Sequence, residues 1–90
     1  MPEAPVNVHS TFVNNVSAVI AWDDAPRADY YRVWKRVIGL DDEPVNVGSP
    51  ADANFTLENL PANSPAEIFV SAVNDGGESE RSAVLTITTH

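Results

Sequence analysis

The feature that most constrains the fold is a run of alternating apolar residues that ends at Trp22. Ala18, Ile20 and Trp22 occupy every second position, and a period of two is the spacing of side chains on one face of a β-strand. A second tract, from Leu57 to Asn74, contains a stretch with the same period. Because an aromatic side chain buries a large apolar surface, the sequence predicts a small β domain built around one buried indole.

The length and the cysteine content limit what can stabilise this domain. The chain has 90 residues, which predicts a single domain covering 1–90. It contains two Trp, two Tyr and three Phe, enough for one core without a metal or another cofactor. Cysteine is absent, which excludes both a disulfide framework and a Cys-ligated zinc site. Residues 1–5 lack a basic region and an apolar stretch, so we interpret them as a linker and not as a signal peptide.

The charge of the chain argues against two classes of partner. Five basic residues stand against thirteen acidic ones, for a net charge of −8. Such a surface repels phosphate backbones and anionic lipids, so no nucleic-acid partner is expected. The chain also has no apolar run near the roughly 20 residues that cross a bilayer, so no membrane insertion is expected.

Short segments with period-two alternation recur along the chain, and turn-forming residues separate them. The predicted strands cover residues 6–12, 17–22, 30–37, 45–47, 54–57, 66–74 and 83–88. The tight turn Asp75-Gly76-Gly77 precedes the last of them, as expected where positive φ is needed. Seven short strands in one domain predict an all-β fold, an immunoglobulin-like antiparallel β-sandwich.

The core is predicted from the apolar side chains on the inward face of these strands and from one leucine in a crossing loop. The predicted core residues are Val8, Ile20, Trp22, Tyr31, Val33, Phe55, Leu57, Leu60, Ile68, Val70, Ala72, Leu85 and Ile87. Lys35 follows the same alternation in the third strand, so its stem is also expected to point inward.

Several segments, taken in order, resemble the fibronectin type III domain family. They are Pro5 ahead of Val8, Val19-Ile20-Ala21-Trp22-Asp23, Tyr31-Arg32-Val33, Leu57-Glu58-Asn59-Leu60-Pro61, Val70-Ser71-Ala72-Val73-Asn74, and Gly77-Glu78-Ser79 followed by Ser82 and a Thr-rich end. The resemblance covers nearly the whole chain and depends on the order and spacing of all these segments. It implies a sheet of strands A, B and E packed on a sheet of strands C′, C, F and G, usually as one bead in an extracellular string.

One position departs from the pattern of this family. The family's strand-F tyrosine, whose hydroxyl ties back to the preceding crossing loop, would fall where this chain has Ala66. The loop also lacks the usual glycine, and Asn63 stands near that place, where asparagine tolerates a left-handed conformation. We expect Pro61 and Pro65 to compensate in part, since proline lowers the entropy of the unfolded chain.

The polar residues do not assemble into a recognisable catalytic or metal site. His9 lies in the first strand and His90 ends the chain, and no nucleophile with a partnered base accompanies either one. The acidic groups Asp23-Asp24 and 41–43 belong to separate loops and lack the spacing of a calcium loop. The sequence therefore predicts no catalytic, cofactor-binding or metal-binding residue.

The outward face of the third and sixth strands is the predicted interaction surface, and we call it the C–F face. It comprises Tyr30, Arg32, Trp34, Arg36, Phe69 and Val73. Exposed Trp, Tyr and Arg are the types enriched at binding hot spots. The alternative is that Arg32 and Arg36 stack on Trp34 and shield it from solvent.

These features lead to two alternative functions. The first is a non-catalytic, monomeric spacer or interaction module of a larger secreted or cell-surface protein, with the flanking domains of that protein as partners. The resemblance implies that a secreted bacterial carbohydrate-active enzyme is one host of this kind. The alternative is a module that binds a carbohydrate or protein ligand through the C–F face. Asn15 and Asn54 also fit the glycan-acceptor pattern, which matters only in a eukaryotic secretory pathway.

Overall fold

The computed structural model describes residues 2–90, which contain eight strands and no helix. The strands are β1 (His9–Val13), β2 (Ala18–Ala21), β3 (Tyr30–Val37), β4 (Val45–Gly48), β5 (Asn54–Leu57), β6 (Pro65–Asn74), β7 (Gly77–Glu78) and β8 (Leu85–Thr88). One antiparallel sheet has the order β1-β2-β5; the other has the order β4-β3-β6, with β7 and β8 both paired to β6. The predicted sandwich, with strands A-B-E facing C′-C-F-G, is confirmed.

The last strand, predicted over 83–88, is observed as β8 from Leu85, and an additional short strand, β7, precedes it; β7 and β8 pair with opposite ends of β6. Between them, Ser79 and Ser82 bond to β6 with both backbone and side chain. The Ser79 hydroxyl accepts the N–H of Ala72 at 2.9 Å, and the Ser82 hydroxyl accepts the N–H of Val70 at 3.0 Å. Serine oxygens thus replace strand carbonyls, so the segment 79–84 leaves the ladder while the buried N–H groups of β6 stay satisfied.

The first two strands are shorter than predicted. The strand expected at 6–12 begins only at His9, because Asn7 adopts a left-handed conformation with φ 57°. Trp22 lies one residue beyond β2 and is still held in an extended arrangement. Its backbone N–H donates to the carbonyl of Ala53 at 3.1 Å. The alternation therefore continues through Trp22 although the paired strand stops at Ala21.

The core fills the space between the two sheets. The predicted core residues that are buried are Ile20, Trp22, Tyr31, Val33, Leu57, Leu60, Ile68, Val70, Ala72 and Ile87, and Ala18, Val37 and Ala66 join them. Three predictions need correction: Val8, Phe55 and Leu85 are only partly buried and pack against the margin of the core. Val8 precedes β1, whereas Phe55 and Leu85 lie on strands that pair on one side only, so solvent reaches them.

Lys35 lies at an open edge of the sandwich, where a cleft of about 240 Å³ separates β4 from β5. Its side chain is half-buried, so it is not a core residue in the sense of its inward-facing neighbours. Phe55 closes part of the same edge by covering Gly48. A Cβ added to Gly48 would lie 2.5 Å from two carbons of the Phe55 ring, so this position requires glycine for the ring to pack there.

Trp22 is the central aromatic residue of the core. Its side chain packs edge-on against Tyr31, with ring centroids 5.2 Å apart and planes at 72°, a favoured geometry for an aromatic pair. Trp22 is 4% exposed, and its indole N–H is buried without a hydrogen-bond partner. The Tyr31 hydroxyl accepts the N–H of Ala25 at 2.9 Å. The side chain of Trp22 therefore stabilises the fold through packing alone, whereas that of Tyr31 also bonds to the loop after β2.

The N-terminal segment contacts the domain through two prolines, and its interpretation as a linker stays a prediction. Within the described residues, Pro2 and Pro5 are buried, and the carbonyl of Val6 accepts the N–H of Asp23 at 3.0 Å. Proline rings can pack in this way at low entropic cost, because the residue loses little side-chain freedom on folding. Pro2 and Pro5 thus pack against the domain, whereas Glu3 between them is exposed; Met1 lies outside the described residues.

Thr89 closes the corner where the tyrosine is missing. Its buried hydroxyl donates to the carbonyl of Pro61 and accepts the N–H of Ser64 at 3.0 Å, and its own N–H donates to the Ser64 carbonyl at 3.2 Å. Asn63 has φ 53°, which confirms the predicted left-handed conformation. The residue after β8 thus ties the loop before β6 in place of a side chain at Ala66. Stiffening of this corner by Pro61 and Pro65 stays a prediction.

The chain enters and leaves the domain at opposite ends. Residues 2–6 lie beside the loop that follows β2, and the side chain of Asn74, at the end of β6, donates to Arg27 in that loop. At the beginning of β6, by contrast, the loop residue Asn63 donates its N–H to the carbonyl of His90. The longest dimension of the domain is 38 Å.

Candidate interaction face

The structure brings the residues of the C–F face together on adjacent strands. In the antiparallel pairing of β3 with β6, Trp34 lies opposite Phe69 and Arg32 lies opposite Ser71. Tyr30 and Arg36 occupy the same face, since they alternate with the buried Tyr31, Val33 and Val37 along β3. All of the predicted face residues except Val73 are half-buried.

The prediction that Val73 belongs to the accessible surface of this face is wrong. It is 8% exposed, because β3 pairs with β6 on one side of it and β7 pairs with β6 on the other. The short strand β7 was not predicted, so Val73 was expected to be accessible, whereas in the structure β7 lies beside it. Val73 therefore does not contribute an accessible contact.

Arg32 and Arg36 are each bound to a carboxylate, which corrects the prediction that they stack on Trp34. Arg32 Nη1 lies 2.7 Å from Glu78 Oε1, and Arg36 Nη1 lies 2.7 Å from Glu67 Oε1. Both pairs are partly exposed, where an ion pair contributes only about 0–1 kcal/mol. Their main effect is to fix the two guanidinium groups beside the aromatic centre of the face.

Arg81 shields Trp34 instead. Its guanidinium carbon lies 4.6 Å from the centroid of the Trp34 ring and 5.9 Å from that of Phe69. Such a cation–π contact contributes about 0.5–1 kcal/mol at an exposed site. Sequence reasoning missed Arg81, because it belongs to the irregular segment 79–84, where no alternation indicates which way a side chain points.

Hydrogen bonds also hold the Trp34 indole. Its Nε1–H lies 3.5 Å from Ser71 Oγ, at the outer limit of a hydrogen bond, and the Ser71 hydroxyl donates to Glu78 Oε2 at 2.6 Å. Ser71 is fully buried although it faces outward. The Glu78 carboxylate therefore connects Arg32 to Ser71 beneath the indole, and the aromatic centre of the face is preorganised.

Clefts in the described part of the chain lie away from the C–F face. Five clefts among residues 2–90 are lined by residues outside the C–F face, one of about 430 Å³ beside residues 4–8 and 82–84. In the same residues, no three His, Asp or Glu side chains are placed together to hold a metal ion. The part of the chain that the structure describes also has no helix long and apolar enough to cross a membrane.

Comparison with known proteins agrees with this geometry. The family model of the fibronectin type III domain matches residues 3–88. The chain belongs to the fibronectin type III domain family. Domains of this family are non-catalytic modules that typically occur in larger multidomain proteins, often but not always extracellular ones. A search of the curated proteins found no match.

Solved structures similar to this fibronectin type III domain support the fold. Domains A168–A170 of titin match with a TM-score of 0.88 and 22% identity, over 99% of this chain and 32% of theirs. The FN5 domain of Drosophila Lar matches with a TM-score of 0.81 and 23% identity, over 99% of this chain and 97% of the Lar chain. The twitchin kinase region of C. elegans matches with a TM-score of 0.86 and 17% identity, over 96% of this chain and 16% of the twitchin chain. This chain thus spans about a third of the titin chain.

Fluorescence quenching by acrylamide checks the arrangement of the two tryptophans. In the wild-type domain, Trp22 is expected to resist quenching because it is sealed in the core, whereas half-buried Trp34 is quenched in part. Replacing Arg81 by alanine should expose the Trp34 ring and increase quenching, and Arg27→Ala, at an exposed arginine in the loop after β2, serves as the control. Equal quenching in both variants would contradict shielding by Arg81.

Proposed function

We propose that this fibronectin type III domain is a rigid, non-catalytic spacer that holds its neighbouring domains at a set distance and orientation. The observation that carries the proposal is the position of the two terminal segments at opposite ends of a domain 38 Å long. A force or a torque on one neighbour is then transmitted through the whole sandwich to the other.

Both terminal segments are fixed, which a spacer needs. At one end, Pro2 and Pro5 are buried against the domain. At the other end, Thr89 is 4% exposed, and backbone hydrogen bonds join His90 to Asn14 and Asn63. A neighbour attached at either end would follow the orientation of the bead, because the connecting residues are packed and bonded.

The proposal extends to the context of the domain. Its partners would be the flanking domains of a secreted or cell-surface protein in which it acts as a monomeric bead. An accessory domain of a secreted bacterial carbohydrate-active enzyme is one such host. The net charge of −8 supports a bead that stays soluble and does not adhere to nucleic acid or to anionic lipid.

Pulsed electron paramagnetic resonance between two spin labels tests the spacer. The chain has no cysteine, so Glu3→Cys and Thr88→Cys place one label near each end without further changes. We expect one narrow distance distribution in the native protein. The control is the same doubly labelled protein in urea, where a flexible chain gives a broad distribution. A broad or multiple distribution under native conditions would contradict a rigid spacer.

A second function, ligand binding through the C–F face, is favoured by one specific observation. The face concentrates arginine and aromatic side chains on an otherwise acidic molecule: three of the five basic residues, Arg32, Arg36 and Arg81, lie on it or over it, and among the described residues only the first two form ion pairs, with Glu78 and Glu67. Clusters of Trp, Tyr and Arg are enriched at the centres of interfaces. The preorganised aromatic centre would lose little conformational freedom on binding.

A further inference from the structure

We propose that Arg81 is the central contact of a protein-docking surface, at which its guanidinium binds a carboxylate of the partner. The inference rests on the second function proposed above and replaces Trp34 with Arg81 as the residue that the partner meets first. It does not depend on the first proposed function, that of a rigid spacer.

Arg81 lies over the C–F face and, unlike the two arginines of that face, has no carboxylate partner in the described residues. Arg32 and Arg36 are occupied by Glu78 and Glu67. Arg81 is exposed, forms no ion pair within 4.0 Å, and does not pair with the adjacent Glu80. Its N–H donors are therefore available to a partner.

The position of Arg81 over an aromatic ring suits it to bind a carboxylate. The ring of Trp34, 4.6 Å from the guanidinium carbon, contacts the face of the group, while the N–H donors of a guanidinium lie at its edge. Two of these donors match the two oxygens of a carboxylate, which gives the bidentate pair that is stronger and more directional than a single bond.

The backbone presents Arg81 rigidly. Ser79 and Ser82, which flank Glu80 and Arg81, are both buried, and each is bonded to β6 through its hydroxyl and its N–H. The two intervening residues are therefore held in a short segment outside the ladder. Preorganisation of this kind lowers the entropic cost of binding.

The shape and the charge of the surface favour a protein as the partner. The C–F face is the surface of a sheet, and the clefts described above are lined by other residues. Its Trp34 ring is already covered by Arg81, so it is not a bare platform for a sugar. Arg81 forms no ion pair within 4.0 Å among residues 2–90, so its positive charge is uncompensated by a bound carboxylate in a chain whose net charge is −8. A partner that presents a carboxylate complements the charge of Arg81, and the half-buried ion pairs of Arg32 and Arg36 can exclude water from that contact.

A displayed library of random peptides of twelve residues tests the proposal. The wild-type domain is the target, and each selected peptide is then measured on the Arg81→Lys variant, which keeps the charge and loses the planar guanidinium. A surface of net charge −8 would retain basic peptides non-specifically, so a requirement for Asp or Glu is diagnostic. We expect selected peptides to contain an acidic residue and to shift the indole N–H signal of Trp34. Replacing that residue by its amide should weaken binding about tenfold.

Two variants and one other ligand complete the design. Arg27→Lys should bind the selected peptides like the wild type, and circular dichroism should show that Arg81→Lys keeps the fold. Equal binding to Arg81→Lys would overturn the role of Arg81, while a Trp34 shift would leave the face as a binding surface. If no selected peptide shifts Trp34, both the inference and the second function are wrong. Oligogalacturonate that binds the wild type but not Arg81→Lys would assign the carboxylate to a sugar and overturn the protein partner.

Discussion

Replacing Trp22 by alanine is expected to lower the free energy of unfolding by about 3–5 kcal/mol. The indole is buried between the sheets and packs edge-on against Tyr31, so its removal leaves a cavity that neighbouring side chains cannot fill completely. A domain of this size has roughly 5–10 kcal/mol of stability in total. The variant should therefore be close to unfolded at physiological temperature. Urea denaturation followed by circular dichroism measures the loss.

The second tryptophan provides a matched control for this prediction. Trp34 is half-buried on an outer face, so Trp34→Ala should cost about 1–2 kcal/mol from lost area and lost contact with Arg81. Trp22→Phe should cost less than Trp22→Ala, since the buried indole N–H of Trp22 donates no hydrogen bond and the phenyl ring keeps most of the packing. Equal losses for the two alanine variants would contradict a core built around Trp22.

Thr89→Val is expected to destabilise the domain by about 1–3 kcal/mol, although valine has nearly the same shape. The hydroxyl of Thr89 is buried; it donates to Pro61 and accepts from the N–H of Ser64. Valine offers neither group, so a backbone N–H and a carbonyl at the corner lose partners in a partly buried position. The cost is that of leaving polar groups unsatisfied, and urea denaturation measures it.

The neighbouring threonine separates this effect from a general effect of valine. Thr88 is exposed at the end of β8, so Thr88→Val should change stability by less than about 0.5 kcal/mol. Amide hydrogen exchange of residues 61–64 should accelerate in Thr89→Val only, because the loop loses its tie to the chain end. If the two variants are equally stable, Thr89 does not replace the missing tyrosine.

Strand positions were predictable because alternation is a local property. The bounds of β3 (Tyr30–Val37) and β5 (Asn54–Leu57) agree with the prediction, and the buried residues of the central strands follow the expected parity. A strand with one face in a core must place its apolar residues at every second position, so the sequence carries this information directly. The same reasoning placed Trp22 in the core and Trp34 outside it.

The ends of strands were less predictable, because they depend on single backbone conformations and on neighbouring chain segments. The left-handed Asn7 delays β1, and the hydroxyls of Ser79 and Ser82 bond to β6 where the chain leaves the ladder between β7 and β8. Val6 and Val8 alternate across Asn7, and the segment 79–84 carries no alternation at all, so in neither place does the pattern reveal where the ladder stops. The burial of Val73 by β7 follows from the same missed detail.

By itself, the sequence determined the all-β class, the two sheets, most of the core and the set of strands that carries the outer face. Only the tertiary structure decided which side chains meet across that face and at the corner. Arg81 lies over Trp34, and Thr89 bonds to the loop at Pro61, in each case across many residues of sequence. A short-range pattern fixes which way a strand residue points. It cannot determine which distant, irregular segment comes to lie beside it, because folding of the whole chain sets that contact.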